Sequence, residues 1–173
     1  MAAFDIVVLG GGPGGYVSAI RSAQLGNKTA IIDQNRLGGV CLNWGCIPTK
    51  ALLKSAEILH YIKNSKQFGI QVPKYNIDFV QTVKRSRDIS LNLSKGIEFL
   101  MKKNKIKHIV GRGMLNSKSE IIVANGKKEQ KVQAKKIIIA TGGRAKKFAG
   151  IEFDSKNIIS SKEAMVINSL PKK

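Results

Sequence analysis

Phe4-Asp5-Ile6-Val7-Val8-Leu9-Gly10-Gly11-Gly12-Pro13-Gly14-Gly15-Tyr16-Val17-Ser18-Ala19-Ile20-Arg21-Ser22-Ala23-Gln24-Leu25-Gly26 decides the fold. Its first six residues are β-branched or apolar apart from Asp5 and stop at glycine, as a buried parallel strand does. Tyr16 to Leu25 then follows a helical pattern, with Val17, Ile20 and Leu25 expected to pack and Gly26 to cap. A second short strand, Thr29 to Ile32, closes on Asp33, and the three pieces together make a βαβ unit of about 30 residues.

Between strand and helix lies Gly10-x-Gly12-x-x-Gly15. Gly10 permits the tight turn, Gly12 lets a pyrophosphate approach the backbone, and Gly15 allows the helix to pack closely on the sheet. The phosphates would sit at the helix N-terminus, where unsatisfied N–H groups favour an anion. Asp33 follows Gly15 at the distance where a carboxylate accepts hydrogen bonds from a ribose. The expectation is dinucleotide binding, with Pro13 and Gly14 completing the loop; the alternative is a glycine-rich structural turn.

Further along, Ala51 to Lys63 predicts a helix with Leu52, Ala56, Leu59 and Ile62 on one side, and Gln67 to Lys74 a connector. A longer helix is expected from about Ile77 to Asn104, capped by Asn76, with an apolar stripe of Phe79, Val83, Leu93, Ile97 and Leu100 and a bend between Ser86 and Asn92. From Ile106 the period becomes strand-like. His108-Ile109-Val110, Gly111-Arg112-Gly113, Ile121-Ile122-Val123, a turn at Ala124-Asn125-Gly126, Val132 and Ile137-Ile138-Ile139-Ala140 predict a small antiparallel excursion that returns to the main sheet. Asn157 to Lys173 holds few apolar residues and resembles no finished domain.

Composition bounds the function. The 173 residues are 43% hydrophobic and 24% charged, as in an ordinary globular chain. No apolar run reaches the roughly 18 residues of a membrane span, and no targeting segment is expected before Phe4, which together predict a cytoplasmic protein without a membrane partner. Thirty Lys and Arg against 11 Asp and Glu give a net charge of +19. The basic residues are dispersed, as in Lys102-Lys103, Lys127-Lys128, Lys135-Lys136 and Lys146-Lys147, without interleaved aromatics. They read as a lysine-rich surface, with nucleic acid not expected as a partner.

The chain has two cysteines, Cys41 and Cys46. Such a close pair is more often catalytic or metal-binding than structural, and with His60 and His108 far off in sequence a four-ligand zinc site is not expected. On an ideal helix an offset of five residues separates the Cα atoms by roughly 9 Å, whereas a disulfide tolerates about 4.4–6.8 Å. A bridge would therefore need an interrupted helix start, which Gly45 and Pro48 permit. The residues alone leave open a redox pair and two buried thiols.

Gly38-Gly39-Val40-Cys41-Leu42-Asn43-Trp44-Gly45-Cys46-Ile47-Pro48-Thr49-Lys50 resembles the signature of the class I pyridine nucleotide-disulfide oxidoreductases, whose members include glutathione, trypanothione and mercuric reductases. Within that family the Val-Cys-Leu-Asn opening, the Ile-Pro-Thr-Lys close and Ala51-Leu52-Leu53 are most similar to the dihydrolipoamide dehydrogenase branch. The likeness extends through Gly111-Arg112-Gly113 and Ala140-Thr141-Gly142.

The resemblance implies an α/β fold: a Rossmann-like FAD-binding domain with a parallel sheet, a helical excursion and a small antiparallel β-meander. Residues 1–150 would form its first part, and 151–173 would lead towards an NAD domain. Gly10, Gly12, Pro13, Gly14, Gly15, Asp33 and Gly39 would hold FAD, together with Gly113 and the Thr141-Gly142-Gly143 turn. Cys41 would be the interchange thiol and Cys46 the flavin-facing thiolate, with Lys50 beside the flavin ring. Dihydrolipoamide would be oxidised with NAD as final acceptor, carried on lipoyl domains of 2-oxo acid dehydrogenase or glycine-cleavage complexes, by a homodimer. Members of the branch continue past a segment like Ser169-Leu170-Pro171-Lys172 into NAD and interface domains, the latter supplying a His–Glu base. The chain taken by itself would then be inactive. Gly143 stands where the family commonly has Ser, and Ala145 where it often has Pro; His60 and His108 match no catalytic position. Glutathione or mercuric reductase chemistry, and a non-catalytic FAD-binding module, are the alternatives.

Overall fold

A computed structural model describes residues 2–171. The elements are β1 (Ala2–Leu9), α1 (Pro13–Gln24), β2 (Thr29–Asp33), α2 (Gly39–Trp44), α3 (Cys46–Lys63), α4 (Phe79–Lys103), β3 (Lys107–Val110), β4 (Arg112–Leu115), β5 (Glu120–Asn125), β6 (Lys128–Ile139) and α5 (Ser161–Ala164). They divide into two compact units: residues up to Asn43 with Asn92–Arg144, and Trp44–Leu91 with the segment from Ala145.

The first unit holds one six-stranded sheet, ordered β3-β2-β1-β6-β5-β4. β3, β2, β1 and β6 run parallel, while β4, β5 and β6 form an antiparallel meander. This is the α/β, Rossmann-like arrangement expected, joined in one sheet because β6 belongs to both parts. Its residues 128–133 pair antiparallel with β5, and its residues 132–139 pair parallel with β1. The hairpin turn falls at Gly126-Lys127, one residue beyond the expected place, with Gly126 at φ +61°. A two-residue hairpin loop needs such a positive φ.

Val7, Leu9, Ile32, Ile109, Ile121, Val123 and Val132 form the core on one side, while Val8 and Ile31 are fully buried on the other. Both faces of the central strands are therefore covered, which is why they read as unbroken apolar runs. α1 packs differently from expectation. Its buried residues are the small Gly15, Ala19 and Ser22, while Val17 and Leu25 are exposed. Close approach to the sheet replaces side-chain interdigitation. Gly26 does end the helix, with its N–H donating to Ala23 O and that of Asn27 to Ser22 O.

α4 departs from its expected form at three points. It starts at Phe79, and the cap is Asp78, whose carboxylate accepts from the Gln81 N–H at 2.8 Å; the Asn76 carbonyl instead accepts from the adjacent Ile77 N–H. The helix runs unbroken through Ser86–Asn92. Its buried face is Ser86, Ser90, Ser94, Ile97 and Met101, while Leu93 and Leu100 are exposed. The buried hydroxyls donate to carbonyls, Ser86 to Val83 O, Ser90 to Ser86 O and Ser94 to Leu37 O. Each polar group is thereby satisfied where it is buried.

In the second unit α3 runs one turn longer at its start than expected, followed by a short 3-10 turn at Ser65–Phe68 and an irregular stretch to residue 78. α5 is closed by a capping box between Ser160 and Glu163. Among the described residues no helix is long and apolar enough to cross a membrane.

Candidate functional site

The strand order places the candidate site. Connections leave β1 towards β2 on one side, while β6 lies on the other, so the order reverses between β1 and β6. Ligands of open α/β sheets bind at the carboxyl ends of the strands beside such a reversal. Gly10 follows β1 there, Asp33 ends β2, and Ala140-Thr141 follow β6. A Cβ on Gly10 would lie 2.2 Å from the Ala140 carbonyl oxygen, so the two chain segments touch backbone to backbone.

The glycine loop divides into packed and open positions. A Cβ on Gly15 would lie 1.8 Å from Gly10 O, which no relaxation of a side chain can relieve. At Gly12 the nearest atom to such a Cβ is 3.7 Å away, at Gly14 it is 4.0 Å, and at Gly142 and Gly143 nothing lies within 4 Å. Gly12 is also the N-cap of α1, whose first-turn amides lack intrahelical acceptors. Backbone donors and open space thus coincide, as a pyrophosphate requires.

Asp33 has a role beyond the one its position suggested. One carboxylate oxygen accepts from the Gly11 N–H at 2.5 Å and the other from the Asn35 N–H at 2.7 Å. The carboxylate pins the glycine loop to the end of β2, and each oxygen retains a second lone pair for a ribose hydroxyl.

The cysteine-bearing segment begins against this loop. The Gly38 N–H donates to Gly11 O at 2.8 Å. A Cβ on Gly39, the first residue of α2, would lie 2.5 Å from the Gly12 Cα. α2, which carries Cys41, therefore starts in direct backbone contact with the candidate phosphate loop. Asn43 secures it: its buried amide donates to Leu37 O at 3.3 Å and Gly39 O at 3.0 Å, and its carbonyl lies 3.1 Å from the Ser94 hydroxyl, whose single hydrogen it shares with Leu37 O. Sequence reasoning assigned Asn43 and Ser94 no role. A buried amide needing several partners was the available signal; its partner 51 residues away was not.

The expected interruption between the cysteines is present. α2 ends at Trp44 and α3 begins at Cys46, with Gly45 between them at φ −144°, ψ −115°. Cys41 is half-buried and Cys46 exposed. Lys50 stands four residues after Cys46, so ammonium and thiol share one face of α3. Trp44 is held between two cations, the Arg87 guanidinium 5.0 Å and the Lys162 ammonium 4.8 Å from its ring centre. Gly113 is half-buried in β4, where a Cβ would lie 2.5 Å from Leu9 Cδ2. The glycine lets β4 approach Leu9 closely. Thr141, Gly142 and Gly143 are exposed beyond β6. Among the described residues no group of three or more His, Cys, Asp or Glu is placed to hold a metal.

Residues 4–173 match the pyridine nucleotide-disulphide oxidoreductase family, and the chain belongs to it. Among curated proteins it is 45% identical over 171 residues to a dihydrolipoyl dehydrogenase of Chlorobaculum parvum, covering 98% of this chain and 36% of that protein. A mitochondrial dihydrolipoyl dehydrogenase of Schizosaccharomyces pombe is 44% identical, with 98% and 34% covered. One of Bacillus subtilis is 40% identical, with 97% and 37% covered. The chain thus spans about a third of the length of these relatives.

Proposed function

We propose that this chain is the FAD-binding, dithiol-bearing part of a dihydrolipoyl dehydrogenase. The observation that carries the reading is the contact of Gly39 with Gly12, which starts the Cys41 helix on the backbone of a dinucleotide loop. The residues fit FAD. The loop Gly10–Gly15 offers amides and open space at Gly12 and Gly14, Asp33 has ribose-binding capacity to spare, and the Thr141-Gly142-Gly143 turn is exposed on the same strand edge. Gly113, Gly39 and Lys50 complete the proposed flavin-binding set, within a domain of residues 1–150 that residues 151–173 connect to an NAD domain.

In the proposed reaction a thiolate of dihydrolipoamide attacks Cys41 Sγ of a Cys41–Cys46 disulfide. The S–S bond breaks and Cys46 leaves as a thiolate. The second substrate thiolate then displaces Cys41, closing the cyclic disulfide of lipoamide and leaving both electrons on the cysteine pair. Bound FAD supplies the two-electron acceptor between that dithiol and NAD. Lys50, on the Cys46 face of α3, provides a cation beside the place where negative charge collects. A dithiol of ordinary pKa, about 8.5, is mostly protonated at neutral pH, so a base must take its proton. We assign that base, NAD binding and the homodimer contact to the part of the relatives beyond this chain, and lipoyl domains of 2-oxo acid dehydrogenase or glycine-cleavage complexes as partners. The 173 residues alone should not reduce NAD with dihydrolipoamide.

The test is the visible spectrum of the purified chain after incubation with FAD and removal of unbound flavin, beside Gly14→Ala and Gly15→Ala. Flavin should be retained by the chain and held less tightly by Gly14→Ala, whose added methyl enters the open space offered to the phosphates. Gly15→Ala should weaken retention by about 5- to 150-fold, the equivalent of the 1–3 kcal/mol that overpacking commonly costs. Equal retention in all three variants, or none in the chain itself, would count against the glycine loop as the holding element.

A further inference from the structure

We propose that the pocket lined by the starts of β1 and β2, by β3 and by the β5–β6 hairpin binds an oligophosphate anion. Its β3 wall runs from Lys107 to Val110, the residue in register with Asp33, and the proposed flavin chemistry makes no use of the end lined by Lys28, Lys105 and Lys107. The cavity is about 620 Å³, lined by Phe4, Lys28, Lys105, Lys107, Asn125 and Gln130 among others, with no carboxylate in its wall.

Three lysines line it, Lys28 from one connection and Lys105 and Lys107 from another. Lys28 enters from the turn between α1 and β2, its ammonium 5.4 Å from the centre of the Phe4 ring. Lys107 opens β3. Lys105 follows the end of α4. Among the described residues none of these ammonium groups forms a direct ion pair; Asp5 pairs with Lys135 at 2.8 Å and also attracts Lys28, so the charges of Lys105 and Lys107 are the least compensated. Three like charges converging on one concavity repel one another, and an anion carrying several charges removes that repulsion. Asn125 and Gln130 add side-chain amide donors from the β5–β6 hairpin.

Lys105 gives the second, independent observation. Its N–H donates to Lys102 O and that of Ile106 to Met101 O, the paired bonds of a Schellman motif, with Ile106 and Met101 both buried. The residue after such a helix end takes a left-handed backbone and is usually glycine. Here it is Lys105, at φ +55°. A lysine thus stands where glycine would be less strained, and the residue lines the cavity. The pocket also gives part of the +19 charge a location, which the dispersed lysine pairs of the sequence did not suggest.

The experiment titrates the full chain with tripolyphosphate and, separately, with ATP, at low and raised salt, and repeats both with Lys105→Gly/Lys107→Gln. Lys63→Gln/Lys66→Gln removes the same charge outside the pocket and serves as control. Saturable binding that weakens with salt is expected, reduced at least about tenfold in the pocket variant by the loss of charge-assisted contacts. The control should bind as the parent does. Because glycine suits the φ of residue 105, the pocket variant should unfold at a denaturant concentration no lower than the parent, which separates lost binding from lost folding. Tripolyphosphate binding as tightly as ATP would identify the oligophosphate group itself as the ligand; ATP binding more tightly would identify a nucleotide bearing it. No saturable binding of either, or equal losses in the pocket variant and the control, would overturn the proposal.

Discussion

The sheet unit and the helical unit bury apolar surface very differently. Among the described residues, the buried apolar residues of the helical unit are Pro48 and Ala51, while the rest, from Phe4 to Ala134, belong to the sheet unit. That unit instead exposes Leu53, Ile58, Tyr61, Phe68, Ile70, Tyr75, Ile77 and Val80. It is tied together by directed contacts: Trp44 with Arg87 and Lys162, the Arg85 guanidinium on Ala51 O at 2.9 Å, and the Thr49 hydroxyl near the Met165 sulfur at 4.0 Å. The nucleotide loop is therefore mounted on a core, whereas Cys46 and Lys50 are mounted on a helix with little core of its own. A packed core suits the proposed cofactor held in one geometry, and a helix with little core suits the proposed exchange of thiol partners.

Core substitutions should break this contrast most visibly. Ile32, 1% exposed within the β-sheet core, loses its transfer energy and leaves a cavity when truncated. Ile32→Ala should cost about 2–5 kcal/mol. Leu59→Ala on half-buried α3 should cost about 1 kcal/mol or less. Urea unfolding followed by circular dichroism measures both. Equal losses would mean that α3 carries a core comparable to that of the sheet.

The same contrast governs what was legible in the sequence. The βαβ unit was readable because its signals are local: an apolar strand, glycines at fixed offsets and Asp33 at the next strand end. β6 was not readable as one strand. Its first residues, Lys128-Glu129-Gln130-Lys131, are exposed and polar, and they become strand by pairing with β5 rather than by any apolar pattern. The stripe on α4 was misassigned for a related reason. Ser86, Ser90 and Ser94 are buried because small side chains permit close approach and their hydroxyls find carbonyls, whereas hydropathy ranks Leu93 and Leu100 as the inward residues. The site was legible as far as its motif residues. The Gly39–Gly12 contact and the Asn43–Ser94 clamp depend on tertiary approach, which spacing does not encode.

A smaller effect sharpens the view of the helical unit. Lys162, on α5, contributes one of the two cations flanking Trp44. An exposed cation–π contact is worth about 0.5–1 kcal/mol. Lys162→Gln should therefore speed amide exchange in α5 and the residues around it severalfold, while exchange in β1, β2 and β6 and the global unfolding midpoint stay unchanged. Faster exchange spreading into the sheet would show that the two units unfold together and that the contrast in burial does not translate into separate stabilities.

The smallest effect separates the units by pH. His108, on β3, is half-buried, and its Nε2 is buried without a hydrogen-bond partner. Burial pushes its imidazolium pKa below the ordinary 6.5, against the opposing pull of the Glu98 and Asp33 carboxylates. A lowered folded-state pKa means that the unfolded chain binds the proton more readily. The His108 contribution is thus complete above about pH 6.5 and is lost as pH falls from there through the folded-state value. Between pH 7 and pH 5 the stability of the sheet unit should decline, and His108→Gln, which cannot titrate, should reduce the slope. The decline should appear in exchange rates of β2 and β3 and leave those of α3 unaffected, because the proton is taken up inside the sheet. An unchanged slope in His108→Gln would show that His108 is not the group that carries the acid sensitivity. Asp5, whose pKa the Lys135 hydrogen bond lowers most and the Lys28 backbone amide next, loses its contribution only as pH falls below about 3.8, outside this window.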